Sequence, residues 1–442
     1  MSMSKEIILE EAEKHNVKFI HLQFVDILGT LKNVAITVDQ LPDALDGEIM
    51  FDGSSIEGFS RIQESDMYLN PDLDTFTIFP WENGHGKVAR LMCDIYTPEG
   101  EPFAGCPRST LKNVIAEAEE MGYSMHAGPE PEFFLFKLSE NGEPTTITHD
   151  KGGYFDLSPV DKGESARQEI SIALEEMEFE VETSHHEVAS GQHEIDFKHT
   201  DVLRTADNIA TFEFVTKKIA RDHGLHATFM PKPIEGINGS GMHVHQSLFE
   251  DGENIFYDPD DELGLSQEAY YYMGGLLEYA PEFAAITNPT INSYKRLVPG
   301  YEAPVYVAWS SRNRSALVRV PAARGQGTRV ELRNPDPSSN PYLAMAVMLK
   351  AGLTGIKNEI DPGSETVENI YNLCDEDREE KGIPSLPGNI KEAVEELKQS
   401  ELMEEALGDH IYNMFIRAKE LEWNDYKKQV HSWEIDTYLR KY

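Results

Sequence analysis

The sequence predicts an α+β protein with a small β-rich N-terminal domain, residues 1–103, and a larger domain, residues 104–442, built from helices and a curved, largely antiparallel sheet. Three observations lead to this prediction. Short β-rich runs dominate the first hundred residues, whereas helical periodicity alternates with strand-like runs afterwards. A chain of 442 residues is long enough for two or three cores. No apolar run reaches the roughly 18 residues that a membrane span needs.

The N-terminal domain begins with a helix and continues with short strands. The first 17 residues form an amphipathic pattern whose acidic residues are unlike a signal peptide. Two β-rich runs within 17–36 meet at Asp26 to Gly29, which predicts a hairpin, and further strands are expected at 74–80 and 87–97. A sheet this small is thinly covered, so we expect it to pack against another surface.

The larger domain alternates helices with strands. Pro107 begins a helix that runs to about Glu120. Helical periodicity recurs at 164–178, 202–222, 267–287 and 339–357. Strand-like stretches lie around 182–197, 225–233, 242–249, 317–321 and 328–333. The chain is helical again from 388, and the acidic stretch 359–388 is expected to be a mobile or inserted surface region.

Charge is the most extreme property of the chain. There are 39 Lys and Arg against 78 Asp and Glu, which gives a net charge of -39. The acidic excess is spread along the whole chain, and molar salt would screen its self-repulsion to a length of about 3 Å. The composition therefore predicts a halophilic protein, with an acidic mesophilic enzyme as the alternative, and it argues against nucleic acid as a partner. Cys93, Cys106 and Cys374 are widely spaced, which indicates a reducing, cytoplasmic setting.

The stretch Gly128 to Phe136 sets two carboxylates into an apolar strand. Glu130 and Glu132 share one face of that strand because side chains alternate. Ionised carboxylates beside so much apolar surface need a cation. In so acidic a chain, however, an isolated pair of this kind is also expected by chance.

Two later stretches offer partners for that pair. Glu187 and Glu194 can reach a shared point if the chain turns between them, and a solvated acidic hairpin is the alternative. Further along, a glycine-rich turn enters a strand on which His243, His245 and Ser247 share a face. The histidines suit a metal ion or a phosphate, and an ordinary surface pair explains them equally well.

Arginines are scarce in this chain but concentrate between residues 296 and 333. Arg329, Glu331 and Arg333 alternate onto one strand face. Such a concentration favours the binding of an anion over a set of structural ion pairs. Neither a Walker sequence nor a GxGxxG after a strand occurs, so a nucleotide would be held by metals and arginines.

Taken in order, these motifs give the chain a close resemblance to prokaryotic class I glutamine synthetases of the short subtype. The shared stretches are FDGSSIEGF, GPEPEFFLF, HHEVASGQHE, NGSGMHVH, NSYKRLVPGYEAP, RNRSALVR, TRVELRNPDPSSNPY and WEIDTYL. The resemblance implies a β-grasp-like N-terminal domain, a catalytic second domain, and ATP-dependent ligation of ammonia to the side-chain carboxylate of glutamate through a γ-glutamyl phosphate. A glutamate–amine ligase and an inactive sensor or scaffold of the same fold are the alternatives.

The resemblance also implies roles for individual residues. Two or more Mg²⁺ or Mn²⁺ ions are implied, one bound by Glu132, Glu187 and Glu194 and one by Glu130, His243 and Glu331. The implied glutamate-binding residues are Asn238, Gly239, Arg296, Glu302 and Arg333. The implied ATP-binding residues are Glu182, His245, Ser247 and Arg314. The implied catalytic residues are Asp52, which deprotonates ammonium, the flap residue Glu302, which shields the intermediate, Arg319, which steadies the phosphoryl group during transfer, and the ATP-binding Arg314.

Assembly and regulation are implied in the same way. The family forms hexameric rings, usually stacked as dodecamers, in which one N-terminal domain completes the next subunit's site and the WEIDTYL segment joins the rings. Arg61 is implied in feedback inhibition. Tyr371 occupies the place of a tyrosine that one bacterial subtype adenylylates, but the sequence after it differs, so modification is not expected. A PII-type signal protein is a candidate partner.

Overall fold

The computed structural model describes residues 3–56, 58, 66–82 and 84–442, so Arg61 lies outside the described residues. The N-terminal domain begins with helix α1, Lys5–Lys14, which is capped by the Ser4 hydroxyl, and it also contains the short helix α2, Leu41–Leu45. Its strands are β1 Val17–Val25, β2 Leu31–Thr37, β3 Ile49–Asp52, β4 Asp66–Pro71, β5 Thr77–Glu82 and β6 Lys87–Tyr96. They form one sheet in the order β2-β1-β6-β4-β3, with β5 also paired to β6.

The predicted hairpin is present as β1 and β2, and a parallel pairing of β1 with β6 makes the sheet mixed. The strand expected from residue 74 begins only at Thr77, because Leu73–Thr75 form a helical turn capped by the Asp72 side chain. One face of the sheet packs on the large core through Val25, Phe79 and Val88. The expectation that this sheet is covered by another surface is therefore confirmed.

The large domain is organised around one long central strand. Its strands are β7 Ser124–Leu138, β8 Pro144–Thr148, β9 Val181–His186, β10 Gln192–Phe197, β11 Thr200–Asp201, β12 Leu225–Thr228, β13 Met242–Glu250, β14 Glu253–Asn254, β15 Trp309–Ser310, β16 Val318–Arg319 and β17 Val330–Leu332. They form an 11-stranded sheet whose main path is β15-β16-β17-β13-β7-β10-β9. Its pairs in the described residues are antiparallel except β15 with β16. The predicted α+β fold, with a β-grasp domain and a curved antiparallel sheet, is confirmed.

The helices of the large domain are α3 Pro107–Glu120, α4 Glu164–Glu176, α5 Val202–Asp222, α6 Gln267–Thr287, α7 Ser293–Arg296, α8 Pro341–Lys357, α9 Asp375–Glu380, α10 Ile390–Lys398, α11 Glu401–Tyr426 and α12 Ser432–Tyr438. Several of these helices pack against the sheet, among them α3 and α5 against β7. Helices α6 and α8 approach closely at Gly275, where a Cβ would lie 2.1 Å from the Ala351 carbonyl oxygen. Among the described residues, no helix combines the length and the apolar composition that a membrane crossing requires.

A buried arginine joins the two domains. The Arg108 guanidinium on α3 lies 2.6 Å from Asp72 and 3.1 Å from Asp94 of the N-terminal sheet. It also lies 2.9 Å from Asp207 on α5, and these carboxylates keep the guanidinium charged despite its burial. Phe103 and Cys106 lie on either side of the predicted boundary between residues 103 and 104, and both pack in the N-terminal core. The position of the boundary therefore remains a prediction.

Candidate active site

The register of the central strands brings the predicted polar residues onto one surface. Strand β7 lies between β10 and β13, so that Glu132 is opposite Glu194 and Glu130 is opposite His243. On the far side of β13, His245 is opposite Glu331 of β17. Three neighbouring strands and the end of a fourth therefore supply one polar surface.

Glu132, Glu187 and Glu194 form the first group of carboxylates, and His185 of β9 lies among them. The His185 Nε2 atom is 3.2 Å from Glu194 Oε1, and its Nδ1 atom is 3.7 Å from Glu187 Oε1. Glu132 Oε2 accepts a hydrogen bond of 2.7 Å from the Gln192 amide. His185, Glu187 and Glu194 thus each offer one ligand atom within 4.8 Å of the others, close enough to hold a metal ion.

Electrostatics in this group disfavour three ionised carboxylates. Burial, followed by the charges of Glu187 and Glu194, raises the pKa of Glu132 well above its ordinary value. Burial also raises the pKa of Glu187, and burial together with Asp196 raises the pKa of Glu194. A divalent cation bound by these oxygens would remove the repulsion.

Glu130, His243, His245 and Glu331 form the second group. Glu130 lies 3.3 Å from His243 Nδ1 and 2.7 Å from His245 Nε2. Although burial favours its neutral form, these two contacts lower the pKa of Glu130. Burial and the nearby Arg333 lower the pKa of His243 to about 4, so its imidazole is neutral at neutral pH and has a lone pair to offer.

The tautomer of His245 follows from its partners. The Arg329 Nε–H can only donate, and it lies 3.1 Å from His245 Nδ1, which must therefore accept. The proton is then on Nε2, where it is donated to Glu130. His245 Nε2 lies with Glu130 and Glu331 within 4.8 Å, but in this tautomer that nitrogen offers no lone pair to a cation.

The two groups lie between two cavities. The larger of the two, about 650 Å³, is here called the glutamate cavity, and the smaller one, about 360 Å³, is called the nucleotide cavity, after the ligands that the resemblance implies for the residues lining them. Glu130 and Asp196 line both of them, so this pair forms a shared wall. Burial raises the pKa of Asp196 to about 6, and the Glu130 charge contributes in the same direction.

Most of the predicted site residues line one of these cavities. Those facing the glutamate cavity are Glu130, Glu132, Glu187, Glu194, Asn238, Gly239, His243, Arg296, Glu302, Arg314, Arg319 and Arg333. Those facing the nucleotide cavity are Glu130, Glu182, His245 and Ser247. Arg314 faces the glutamate cavity, although the resemblance implies that it contacts ATP. The two agree only if the ATP phosphates extend past the wall formed by Glu130 and Asp196. Glu331 is wholly buried and pairs with Arg319 and Arg333.

Asp52 is the predicted residue that the structure does not bring to the others. It ends strand β3, is exposed, and accepts a hydrogen bond of 2.8 Å from the Ser54 amide. Asp52 does not line either of the two cavities that the described residues form. A single chain thus holds the carboxylate and arginine groups without the carboxylate predicted to accept a proton from ammonium.

The flap over the glutamate cavity has an unusual backbone. Glu302 has φ +58°, in the left-handed region that a side chain adopts only at a cost of order 1 kcal/mol. Its carboxylate accepts a hydrogen bond of 3.0 Å from the Asn238 side-chain amide. The surrounding contacts therefore hold Glu302 in place over the cavity.

Several lining residues were missed by the sequence interpretation. Asp196 follows Glu194 by two residues on β10, and the same alternation that linked Glu130 to Glu132 could have found it. His185 stood in a quoted motif without a role, and Arg329 was interpreted only as one of the anion-binding arginines. Tyr371 lines the glutamate cavity although its segment was expected to be a mobile surface region, and no local pattern indicates this.

A further group of His149, Asp150, Asp161 and His193 lies buried behind β10, within metal-binding distance of one another. Arg167 already supplies its cation, because its Nη1 atom lies 2.8 Å from both Asp161 Oδ2 and His193 Nδ1. Asp150 in turn accepts a hydrogen bond of 3.0 Å from the Gly191 amide. The group thus supports the turn between Glu187 and Glu194.

Comparisons with known proteins give a consistent result. The family model of the glutamine synthetase catalytic domain matches residues 104–438, and that of the glutamine synthetase β-grasp domain matches residues 16–98. The chain is 61% identical to a glutamine synthetase of Clostridium saccharobutylicum, covering 99% of each, and 58% identical to one of Methanosarcina mazei, covering 99% of this chain and 98% of the relative.

Solved structures share the fold over nearly the full length. One described as "GmaS/ADP complex-Conformation 1" has a TM-score of 0.90 and 32% identity, covering 98% of this chain and 99% of that one. A Plasmodium falciparum glutamine synthetase has a TM-score of 0.87 and 26% identity, covering 99% of each chain. With two family models spanning most of the chain and relatives this similar, the chain belongs to the glutamine synthetase family.

Proposed function

We propose that ATP occupies the nucleotide cavity and glutamate the glutamate cavity, with the γ-phosphate meeting the distal carboxylate at the wall formed by Glu130 and Asp196. The overall reaction is that of the family, the ATP-dependent synthesis of glutamine from glutamate and ammonia. The observation that carries the proposal is the shared wall, since two reactants on either side of it would meet where the carboxylates and arginines converge.

Both carboxylate groups fit divalent cations. In the first, Glu187 and Glu194 lie with His185 within 4.8 Å of one another, and the raised pKa values of Glu132, Glu187 and Glu194 are those expected of a site built for a cation. In the second, the neutral His243 adds one nitrogen to two carboxylates, a donor set that Mg²⁺ or Mn²⁺ accepts. When bound, such ions neutralise the charge that spreads over the phosphate oxygens during transfer.

Two arginines suit the carboxylates of glutamate. Arg296 and Arg333 are both buried and line the glutamate cavity. The Arg333 Nε atom is buried and has no hydrogen-bond partner among the described residues, while the guanidinium as a whole lines the cavity as a charged donor suited to a substrate anion. Asn238 and the Gly239 backbone lie at the same end of the cavity.

The proposed chemistry has two steps. A distal carboxylate oxygen of glutamate attacks the γ-phosphorus, the bond to the bridging oxygen breaks, and ADP leaves with that electron pair. Arg319 and Arg314, which line the glutamate cavity, offset the charge of the group in transfer. Ammonia then attacks the acyl carbon, and phosphate leaves to give glutamine.

The proton acceptor for ammonium is proposed to come from a neighbouring subunit. Ammonium has no lone pair, so a carboxylate must take its proton before attack. Asp52 is exposed and outside both cavities of its own chain, which favours delivery to the next subunit's site. The site of one chain would then be completed only in a ring.

We further propose a dodecamer of two hexameric rings joined by the C-terminal segment. Helix α12 exposes Trp433, Ile435 and Tyr438, and Leu439 beyond it is 72% exposed. A terminal segment with this many exposed apolar side chains suits a contact with another subunit. A cytoplasmic location and binding of a PII-type signal protein belong to the same proposal.

Joint substrate dependence tests the proposal. Phosphate release from ATP should require glutamate and ammonium together, in buffers with and without molar salt. Methylamine offered in place of ammonium separates ammonia ligation from amine ligation. Phosphate release that ignores glutamate, or a faster reaction with methylamine than with ammonium, would refute the proposal.

A further inference from the structure

Residues 301–303, here called the flap, contact the segment that links β12 to β13. The Lys232 ammonium lies 3.8 Å from the centre of the Tyr301 ring. The Asn238 amide donates to the carboxylate of Glu302, the next residue along. Two consecutive flap residues therefore each contact a different residue of the same segment.

The third flap residue is held from the opposite direction. The Tyr371 hydroxyl donates a hydrogen bond of 2.6 Å to the carbonyl oxygen of Ala303. Tyr371 is half-buried and lines the same cavity as Glu302. Ala303 directly follows Glu302 in the chain, so this hydrogen bond constrains the left-handed backbone that aims the Glu302 side chain.

The segment around Tyr371 also contacts the loop that carries Arg314. The amide of Ile370 donates a hydrogen bond of 3.2 Å to the Ser315 hydroxyl. The side-chain amide of Asn313 donates to the carbonyl of Glu368. Residues 368–371 therefore connect the flap to the arginine loop, and the position of one depends on that of the other.

We propose that Tyr371 is a positioning residue that keeps the Glu302 flap closed over the acyl phosphate. This inference rests on the proposed function, in which Glu302 shields that intermediate. If the flap opens, a water oxygen attacks the acyl carbon, the bond to the phosphate oxygen breaks, and glutamate and phosphate are released without glutamine. Tyr371 thus determines how much ATP is used per glutamine formed.

The test compares Tyr371→Phe with Tyr306→Phe. Both changes remove one hydroxyl, and the Tyr306 ring is 6.1 Å from that of Tyr371 but outside the cavity lining. Loss of one hydrogen bond shifts a closed–open equilibrium by about fivefold. We expect Y371F to raise the excess of phosphate released over glutamine formed by about fivefold, with KM for ATP unchanged within twofold, and Y306F to match the parent.

A double variant shows whether Tyr371 acts through Glu302. Glu302→Ala should uncouple the reaction by itself, and adding Y371F to it should raise the ratio no further, because the flap is already open. Equal ratios in Y371F and Y306F, or additive effects in the double variant, would overturn the role of Tyr371. A parent enzyme whose phosphate release ignores glutamate or ammonium would instead refute the proposed function.

Discussion

Glu132→Gln separates the cost of the first carboxylate group in folding from its value in metal binding. The Glu132 Oε2 atom accepts hydrogen bonds from the Gln192 amide at 2.7 Å and the Gly241 amide at 2.9 Å. A glutamine carbonyl in that position retains both bonds. The other oxygen becomes an NH₂ group, so the change removes one charge and one cation ligand with little loss of packing.

The magnitude follows from the raised pKa of Glu132. A carboxyl whose pKa is higher in the folded state favours folding below its ordinary value of 4.5 and weakens folding as the pH rises above it. Each pH unit above 4.5 costs about 1.4 kcal/mol until the pH passes the folded-state pKa and the group ionises there too, so the penalty at pH 7 cannot exceed about 3.4 kcal/mol. E132Q should stabilise the metal-free protein by about 1 to 3 kcal/mol and weaken its binding of Mn²⁺ by at least about 100-fold.

Two measurements check these opposite signs. Thermal unfolding in EDTA at pH 7 should show a higher melting temperature for E132Q, and calorimetric titration should show the loss of Mn²⁺ affinity and of turnover. Glu175→Gln on the exposed side of α4 is the matched control and should change neither quantity. An E132Q protein that is less stable without metal, or that binds Mn²⁺ as tightly as the parent, would contradict the assignment of this group.

Three further predictions follow from charges described above. Mn²⁺ binding should release protons at pH 6 to 7 and tighten as the pH rises, because Glu132, Glu187 and Glu194 have raised pKa values without metal. Calorimetric titration in buffers of different ionisation enthalpy measures the protons released, and a release of none would contradict this prediction. Arg108→Met should lower the free energy of unfolding by about 3 to 5 kcal/mol, since it leaves buried carboxylates unpaired, and denaturant titration against Lys14→Met as an exposed control measures it. The melting temperature should rise with NaCl up to molar concentrations, because salt screens a net charge of -39, and a melting temperature independent of salt would argue against the halophilic interpretation.

The alternation of side chains along strands and the 3.6-residue period of helices predicted most of the elements that form the site. Helix α3 begins and ends at the predicted residues, and the helices at 202–222 and 267–287 have the predicted bounds. Alternation also placed Glu130 with Glu132 on one strand face. These features depend on local sequence, which is why they could be predicted from it.

The remaining features depend on contacts between distant segments. No local pattern shows that Glu194 pairs with Glu132, because register depends on which strands meet. Tyr371 lies in an acidic stretch that is surface-like by composition, and its position follows from a bond to Ala303, 68 residues earlier. The halophilic prediction rests on composition alone and stays a prediction.

If ATP and glutamate occupy the two cavities as proposed, the wall of Glu130 and Asp196 couples their binding equilibria. Each of these side chains faces both cavities, so a charge that enters on one side alters the potential experienced on the other. By thermodynamic reciprocity, the factor by which bound nucleotide changes the dissociation constant of the amino acid equals the factor in the reverse direction. Cooperativity between the co-substrates can therefore arise within one chain, from two side chains, without any rearrangement of subunits.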